Sequence, residues 1–417
     1  MRCMILTSWS KFAQHKPSLV ISFESDPKGN ITVLLGRVHV TRWFIFTLKG
    51  ELILHTYKHL WEVINSDEVI DRCIAKAAIG KMNRNSVQEW MKDTDAFKAY
   101  IRANIKNWKN YPHDPVTIYD VSSGKERHIT VPKHEETVIH YMIVDTLHEM
   151  LTKGMYKHTY SSIPGRGLHG CMKTIRHWIE KDPPHCKYCL KLDIRKFFDS
   201  IDHDILKAKL AKYIKDKKFL KLIYEVIDAT DNGLPLGFYT SHWLANWLLQ
   251  PLDHFIKEEL HAEHYCRYMD DMVIFSSNKR KLHRIKDEIE KWLKIHKLQL
   301  KDNWQLFRFD YIKHGEHRGR VLDFIGFKIY RDKTVLRKKL MFRFTRKAKK
   351  IQKKGKFTIH DAHQMMSYLG WIDWSDTYKV YKKYVAPIVT FKKCKKRISQ
   401  YDKRQAELRK RTISLAC

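Results

Sequence analysis

Two adjacent carboxylates stand between apolar runs in Cys266-Arg267-Tyr268-Met269-Asp270-Asp271-Met272-Val273-Ile274-Phe275, and no other pattern constrains this chain as tightly. It predicts a strand, a tight turn and a second strand, with the acids at the hairpin tip. Side chains alternate faces along a strand, so a turn is where neighbouring carboxylates are presented to one point in space. Acids concentrated in this way repel one another unless a divalent cation neutralises them. Taken alone, an Asp-Asp turn is more often a solvated loop.

A second segment shifts that balance. Leu190-Lys191-Leu192-Asp193 reads as a short apolar strand ending in an acid, and the pattern beyond it turns helical through Ile205, Leu206 and Leu210. A third carboxylate at a strand end completes the ligand set of a two-metal phosphoryl-transfer site. Hard cations such as Mg2+ favour a few carboxylates plus substrate phosphate oxygens.

Four motifs then occur in order. Leu190 to His203 carries Asp193; Gly233-Leu234-Pro235-Leu236-Gly237-Phe238-Tyr239-Thr240-Ser241 follows; Tyr268-Met269-Asp270-Asp271 is third; Leu322-Asp323-Phe324-Ile325-Gly326-Phe327 is last. They resemble polymerase motifs A, B and C and the hydrophobic motif at the base of the thumb in the reverse transcriptases, a resemblance covering roughly residues 55 to 400. It implies an α+β chain with a right-hand polymerase fold: fingers, an antiparallel palm of four strands with helices on one face, and a basic helical thumb. The implied reaction is template-directed addition of deoxynucleotides to a 3′-hydroxyl. Asp193 and Asp270 would coordinate two Mg2+ ions (Mn2+ serving in their place) with Asp271 assisting. The implied partners are an RNA template, its DNA (cDNA) product, a cognate noncoding RNA and, in some systems, an accessory protein.

The resemblance also assigns single residues. Phe198 falls where the family places an aromatic gate against the ribose 2′-hydroxyl, the group that separates RNA from DNA. Gly237 would let the backbone lie close under the nascent base pair, as glycine permits. Gly124 to Pro132 reads as a hairpin and strand in which Lys125 and Arg127 would hold a triphosphate by charge-assisted hydrogen bonds. Arg166, in the Gly-rich loop Ser161 to Gly170, is a template-contact candidate beside plain turn chemistry, and Leu236, Tyr268 and Met269 join it as template or primer contacts. Before the motif B glycine the family commonly carries Gln, and Pro after the serine; here the residues are Leu236 and His242. An apolar residue at the first position resembles diversity-generating retroelement enzymes and implies reduced fidelity.

The charge distribution agrees with a nucleic-acid partner. The net formal charge is +33, and from Arg331 to Cys417 there are 26 Lys plus Arg against 6 Asp plus Glu, a net +20. Such an excess favours phosphate backbones through counterion release. Apolar residues interleave with this charge at helical spacing, at Met365, Met366, Tyr368, Leu369, Trp371 and Ile372, then Tyr378, Tyr381, Tyr384 and Val385, which predicts folded helices with one buried face. The expected organisation is a β-rich extension over 1–54, a helical region over 55–111, fingers and palm over 112–330, and the basic thumb and tail over 331–417.

Eight cysteines without framework spacing or a signal peptide point to a reducing, cytoplasmic setting. Cys186-Lys187-Tyr188-Cys189 is half of a zinc pattern, and free thiols are the expected state. No apolar run approaches the ~20 residues needed to span a bilayer, so no membrane partner is expected. The chain shows no endonuclease, RNase H-like or integrase extension beyond the thumb, which resembles bacterial and phage retroelement polymerases of the diversity-generating, anti-phage defence and retron kinds. Two other readings stay open: a catalytically silent RNA-binding scaffold of the same fold, and an RNA-dependent RNA polymerase.

Overall fold

The computed structural model describes residues 56–82, 84–108, 115–120 and 125–416, together with four short strands near the N-terminus. The chain divides into two compact units, Met1–Val63 with Asp204–Tyr224, and Ile64–His203 with Glu225–Cys417.

In the first unit Met4–Leu6, Leu19–Ser25, Ile31–Arg37 and Phe44–Phe46 pair as an antiparallel meander in sequence order. Asp216 is a local hub there. One carboxylate oxygen accepts from the Trp61 amide at 2.7 Å, and the other accepts from the Lys218 and Phe219 amides at 3.1 Å, capping the helix Lys217–Ile227.

The second unit is built on a five-stranded sheet. In spatial order its strands are Gln305–Arg308, Tyr188–Asp193, Asp271–Ser276, His264–Tyr268 and Thr159–Tyr160. The first four run antiparallel, as expected. The fifth is a two-residue parallel edge absent from the sequence expectation, because two residues carry no periodicity to read. It forms because the edge of the His264–Tyr268 strand has donors to satisfy: the Arg267 amide donates to the His158 carbonyl at 3.1 Å and the Met269 amide to the Tyr160 carbonyl at 3.2 Å.

Both faces of this sheet are covered, where the resemblance implied helices on one face. Cys189, Cys266, Val273 and Phe275 pack in one cluster with Cys171, Met172, Ile175, Trp178 and Ile179 of the helix Leu168–Lys181. Leu190, Leu192, Met272 and Ile274 are also buried, as are Leu282, Ile285, Ile289 and Leu293 of the helix Lys279–Ile295. That is why these strands read as nearly continuous apolar runs rather than alternating ones. Charged residues interrupt them at half-buried Lys191 and at Arg267, which is fully buried.

Upstream lie the helices Asp67–Ala78, Asn85–Lys92 and Thr94–Lys106 and the hairpin Val116–Asp120 with Lys125–Ile129. Downstream, a small antiparallel sheet, Leu322–Phe324, Phe327–Ile329 and Thr334–Leu336, leads into the basic helices Lys338–Lys354, Ile359–Ile372, Tyr378–Tyr384 and Phe391–Ala416. Leu340, Met341, Phe344, Ala348 and Ile351 line the buried stripe of the first of these; most of its lysines and arginines are exposed, while Lys347 pairs with buried Asp361 at 2.7 Å. Of the interleaved residues singled out in the sequence, Met365, Leu369, Ile372 and Val385 are core, and Tyr378 and Tyr384 are exposed. Among the described residues no helix is long and apolar enough to cross a membrane.

Candidate active site

Three acids meet at one end of the five-stranded sheet. Tyr268 pairs with Asp271 across the hairpin, which leaves Met269 and Asp270 as a two-residue turn. Met269 has φ of +57° and Asp270 has no positive φ, the pattern of a type II′ turn with a side chain where glycine is usual. Asp271 opens the second strand and stands opposite Asp193, the last residue of the neighbouring strand. The backbone therefore brings the two sequence-separated acidic segments together at adjacent strand ends.

The electrostatics of this group are those of crowded, poorly solvated acids. Loss of solvation pushes the Asp270 carboxyl up to about 7, with repulsion from Asp271 and Asp193 adding to it. Asp271 is pushed up to about 6 by the same desolvation and by Asp193. Lys191, Lys301 and Arg337 pull Asp271 the other way without cancelling the shift. The Lys301 ammonium donates to one oxygen of Asp193, and its amide donates to the Asp193 carbonyl at 2.8 Å. The other oxygen of Asp193 is buried and has no hydrogen-bond partner. A buried carboxylate oxygen without a donor, beside two acids held partly protonated, is a donor set suited to a hard divalent cation. The residues present thus fit Mg2+.

The remaining candidates fall around this centre in different environments. Phe198 is half-buried, with its ring edge-on to His242 at 5.2 Å between centroids. His242 replaces the family's usual proline, and burial holds its imidazole below the ordinary histidine range, in the neutral form. Leu236 is half-buried, and its carbonyl accepts from the Thr130 amide at 2.7 Å. Gly237 has φ of +115°, and a Cβ there would lie 2.1 Å from the Thr130 carbonyl oxygen and 2.7 Å from Ile129 Cγ2. The close approach that this glycine permits is therefore made to the protein's own backbone.

Tyr268 is half-buried and desolvation raises its phenol, while Met269 is buried. Arg166 is half-buried and donates to the Tyr156 carbonyl at 3.0 Å, so it closes its own loop. Arg127 is exposed on the strand Lys125–Ile129, opposite Ile118. The side chain of Lys125 and the turn 121–124 lie outside the described residues.

Two residues near the acids were not singled out as site candidates from sequence. Lys301 lies in an ordinary basic stretch, Lys301-Asp302-Asn303, and nothing in that composition marks it. Arg267 is fully buried and forms a bidentate pair with buried Asp253, at 2.8 and 2.6 Å. A charged residue inside an apolar strand is a signal for Arg267 that sequence reasoning could have weighed.

Two other metal readings separate cleanly from this site. Cys186 and Cys189 are buried free thiols, and burial pushes both up, Cys186 to about 12, which disfavours the thiolate that zinc needs. Among the described residues one group, Asp310, His317 and Asp332, has ligand atoms all within 4.8 Å of one another. Asp310 there already accepts from His317 Nδ1 and from the Arg331 amide, and Lys333 stands beside the ring. That cluster is internally paired. Asp193, Asp270 and Asp271 are not drawn together as tightly.

Comparison with known proteins follows the same lines. Residues 118–372 match the sequence family described as reverse transcriptase (RNA-dependent DNA polymerase). Among similar curated proteins, the retron Ec73 reverse transcriptase of Escherichia coli is 26% identical over 181 residues, 40% of this chain and 55% of that protein. The uncharacterized 91 kDa protein in the cob intron of Schizosaccharomyces pombe is 30% identical over 156 residues, 35% of this chain and 19% of that one. The group II intron-encoded protein LtrA of Lactococcus lactis is 26% identical over 170 residues, 37% of this chain and 27% of that protein. The aligned region thus spans between about a fifth and about half of these relatives. Among solved structures, apo telomerase from Candida tropicalis truncated from its C-terminal domain aligns at a TM-score of 0.38 with 17% identity, over 50% of this chain and 51% of that one. The family match spans more than half of the chain, which carries mixed helices and sheet. The chain belongs to the reverse transcriptase (RNA-dependent DNA polymerase) family.

Proposed function

We propose that this protein synthesises DNA on an RNA template by two-metal phosphoryl transfer at Asp193, Asp270 and Asp271. The observation that carries the reading is the convergence of these three acids at adjacent strand ends inside the family-matched region, with a buried Asp193 oxygen that has no donor. Bound there, Mg2+ would supply Lewis-acid activation of a primer 3′-hydroxyl and charge neutralisation on the triphosphate. The chain's own contribution is positioning. The strand pairing sets Asp271 against Asp193, and the turn carries Asp270 next to Asp271, near enough to both acids to feel their charge. Low solvation strengthens every charge interaction at that point. Phe198 would stand against the ribose, with His242 supporting its ring from the side. Arg127 and Lys125, on the upstream hairpin, would meet the triphosphate. Arg166, Leu236, Tyr268 and Met269 would border template and primer.

We further propose that the template is a dedicated noncoding RNA of a bacterial or phage retroelement, of the diversity-generating or anti-phage defence kind, with the basic C-terminal helices holding it. The net +20 carried from Arg331 to Cys417 supports this part.

The test is extension of a DNA primer on an RNA template with labelled dNTPs and Mg2+, comparing the wild type with Asp193→Ala and Asp270→Ala. Synthesis that disappears in both variants while RNA binding persists is the expected result. A variant that still polymerises would refute the assignment, and incorporation of NTPs in preference to dNTPs would replace it with RNA synthesis.

A further inference from the structure

The acidic turn is built in a conformation that its own sequence disfavours. Met269 has φ of +57°, at the turn position where glycine is normally found, and L-residues there cost roughly 1–2 kcal/mol. Such an outlier persists only where the surroundings over-determine it. Here the surroundings are a buried polar network. Arg267 Nη1 donates to the Met269 carbonyl at 2.8 Å and to Asn246 Oδ1 at 3.0 Å. Arg267 Nε and Nη2 are held by Asp253 at 2.8 and 2.6 Å. Asp253 in turn accepts from the Tyr265 hydroxyl at 2.6 Å and the Thr159 hydroxyl at 3.1 Å. Asn246 Nδ2 donates to the Ser161 carbonyl at 3.1 Å. On the other side the Met269 amide donates to the Tyr160 carbonyl at 3.2 Å. Both polar groups of the peptide unit's strained residue are thus tied down, the carbonyl by a guanidinium that is itself fully buried and clamped.

A buried ion pair is a weak device for stability, because removing two charges from water costs about as much as their attraction returns. A planar fork that reaches a carboxylate with one edge and a backbone carbonyl with the other has a geometric use that apolar packing cannot supply. We propose that Arg267, oriented by Asp253, is the positioning residue of the acidic turn: it locks Met269 in the left-handed conformation and so fixes Asp270 beside Asp271 and Asp193 for cation binding. The role rests on the metal-site reading above. Arg267 touches no reacting atom and acts only through the turn.

The consequence is separable from folding. Replacing the pair by apolar residues of similar size, Asp253→Leu with Arg267→Met, removes the clamp while leaving no lone buried charge. Arg267→Lys keeps a cation near Asp253 but cannot grip Asp253 and the Met269 carbonyl together. Glycine adopts positive φ without strain, so adding Met269→Gly relieves the need for the clamp.

The experiment is Mn2+ binding to the full chain, read from the loss of the free-ion electron paramagnetic resonance signal, with thermal unfolding measured alongside and no substrate present. Asp270→Ala serves as the reference for loss of the site. In Arg267→Lys and in the double variant, Mn2+ affinity is expected to fall about tenfold or more, the usual effect of losing a partner that orients a metal ligand. Adding Met269→Gly to Arg267→Lys is expected to recover affinity, which a merely structural loss would not do. Wild-type Mn2+ affinity in either clamp variant would overturn the proposal, as would a weakening that Met269→Gly leaves unchanged. If Asp270→Ala itself binds Mn2+ as the wild type does, the metal-site reading fails and this role fails with it.

Discussion

Gly237→Ala tests whether the motif B loop is held by its own backbone packing. At φ of +115° an added Cβ meets the Thr130 carbonyl oxygen at 2.1 Å and Ile129 Cγ2 at 2.7 Å. Neither the backbone conformation nor the space accepts it. The conformational part costs roughly 1–2 kcal/mol. To reach ordinary contact at 3.4 Å the Thr130 carbonyl must retreat by about 1.3 Å, which is overpacking of a kind that typically costs ~1–3 kcal/mol. That retreat also strains the 2.7 Å hydrogen bond from the Thr130 amide to the Leu236 carbonyl, worth about 1 kcal/mol net. Together the loss is about 3–6 kcal/mol. Gly165→Ala provides the control, because Gly165 has φ of +74° but open space where its Cβ would stand. It should lose only the conformational part, about 1 kcal/mol. The assay is urea unfolding of the two variants and the wild type, followed by tryptophan fluorescence. A Gly237→Ala loss no greater than that of Gly165→Ala would refute the packing argument.

Three further outcomes are expected. Leu236→Gln restores the amide common in the family, and steady-state misincorporation on an RNA template should fall; unchanged error rates would sink the link between Leu236 and fidelity. Lys301→Met removes the ammonium paired with Asp193 Oδ2, beside the donor-less Oδ1 left for a cation. The pair is partly exposed, so the gain is modest: Mn2+ affinity should rise about 2–5-fold, the equivalent of ~0.5–1 kcal/mol for a solvent-screened ion pair, as read by calorimetric titration. Asp270 and Asp271 lie at about 7 and about 6 in the folded chain, against ~3.9 for an unfolded aspartate. The folded state therefore binds more protons between pH ~4 and ~7, and stability in chelator falls as pH rises through that window. Denaturant midpoints of the wild type relative to Asp270→Asn/Asp271→Asn should show that slope, and saturating Mg2+ should flatten it; a wild-type profile parallel to the variant's would contradict the desolvation account.

Much of the chemistry was legible in the residues themselves. A strand carrying Asp193 and a hairpin carrying Asp270 and Asp271 are local patterns, since apolar runs and a two-residue turn need only neighbouring residues to be read. The apolar stripe of the basic helices is local in the same way: Met365, Leu369 and Ile372 recur at helical spacing and are buried together. The resemblance implied an antiparallel palm of four strands; that Asp271 stands opposite Asp193 is seen only in the structure.

The rest required the tertiary structure, because it depends on residues far apart in the chain. Lys301 is 108 positions from Asp193, and only the folded chain sets its ammonium on that carboxylate. Thr159 and Asp253 are 94 positions apart and both buried; their hydrogen bond helps orient Arg267 under the Met269 carbonyl. Gly237 reads as a ligand-facing glycine until Thr130 is seen to fill the space beside it. Periodicity encodes which face of an element is apolar, and that much the sequence alone determined. Which polar group satisfies which buried partner is decided by packing, since desolvation makes each unpaired donor or acceptor costly only once the chain has closed around it.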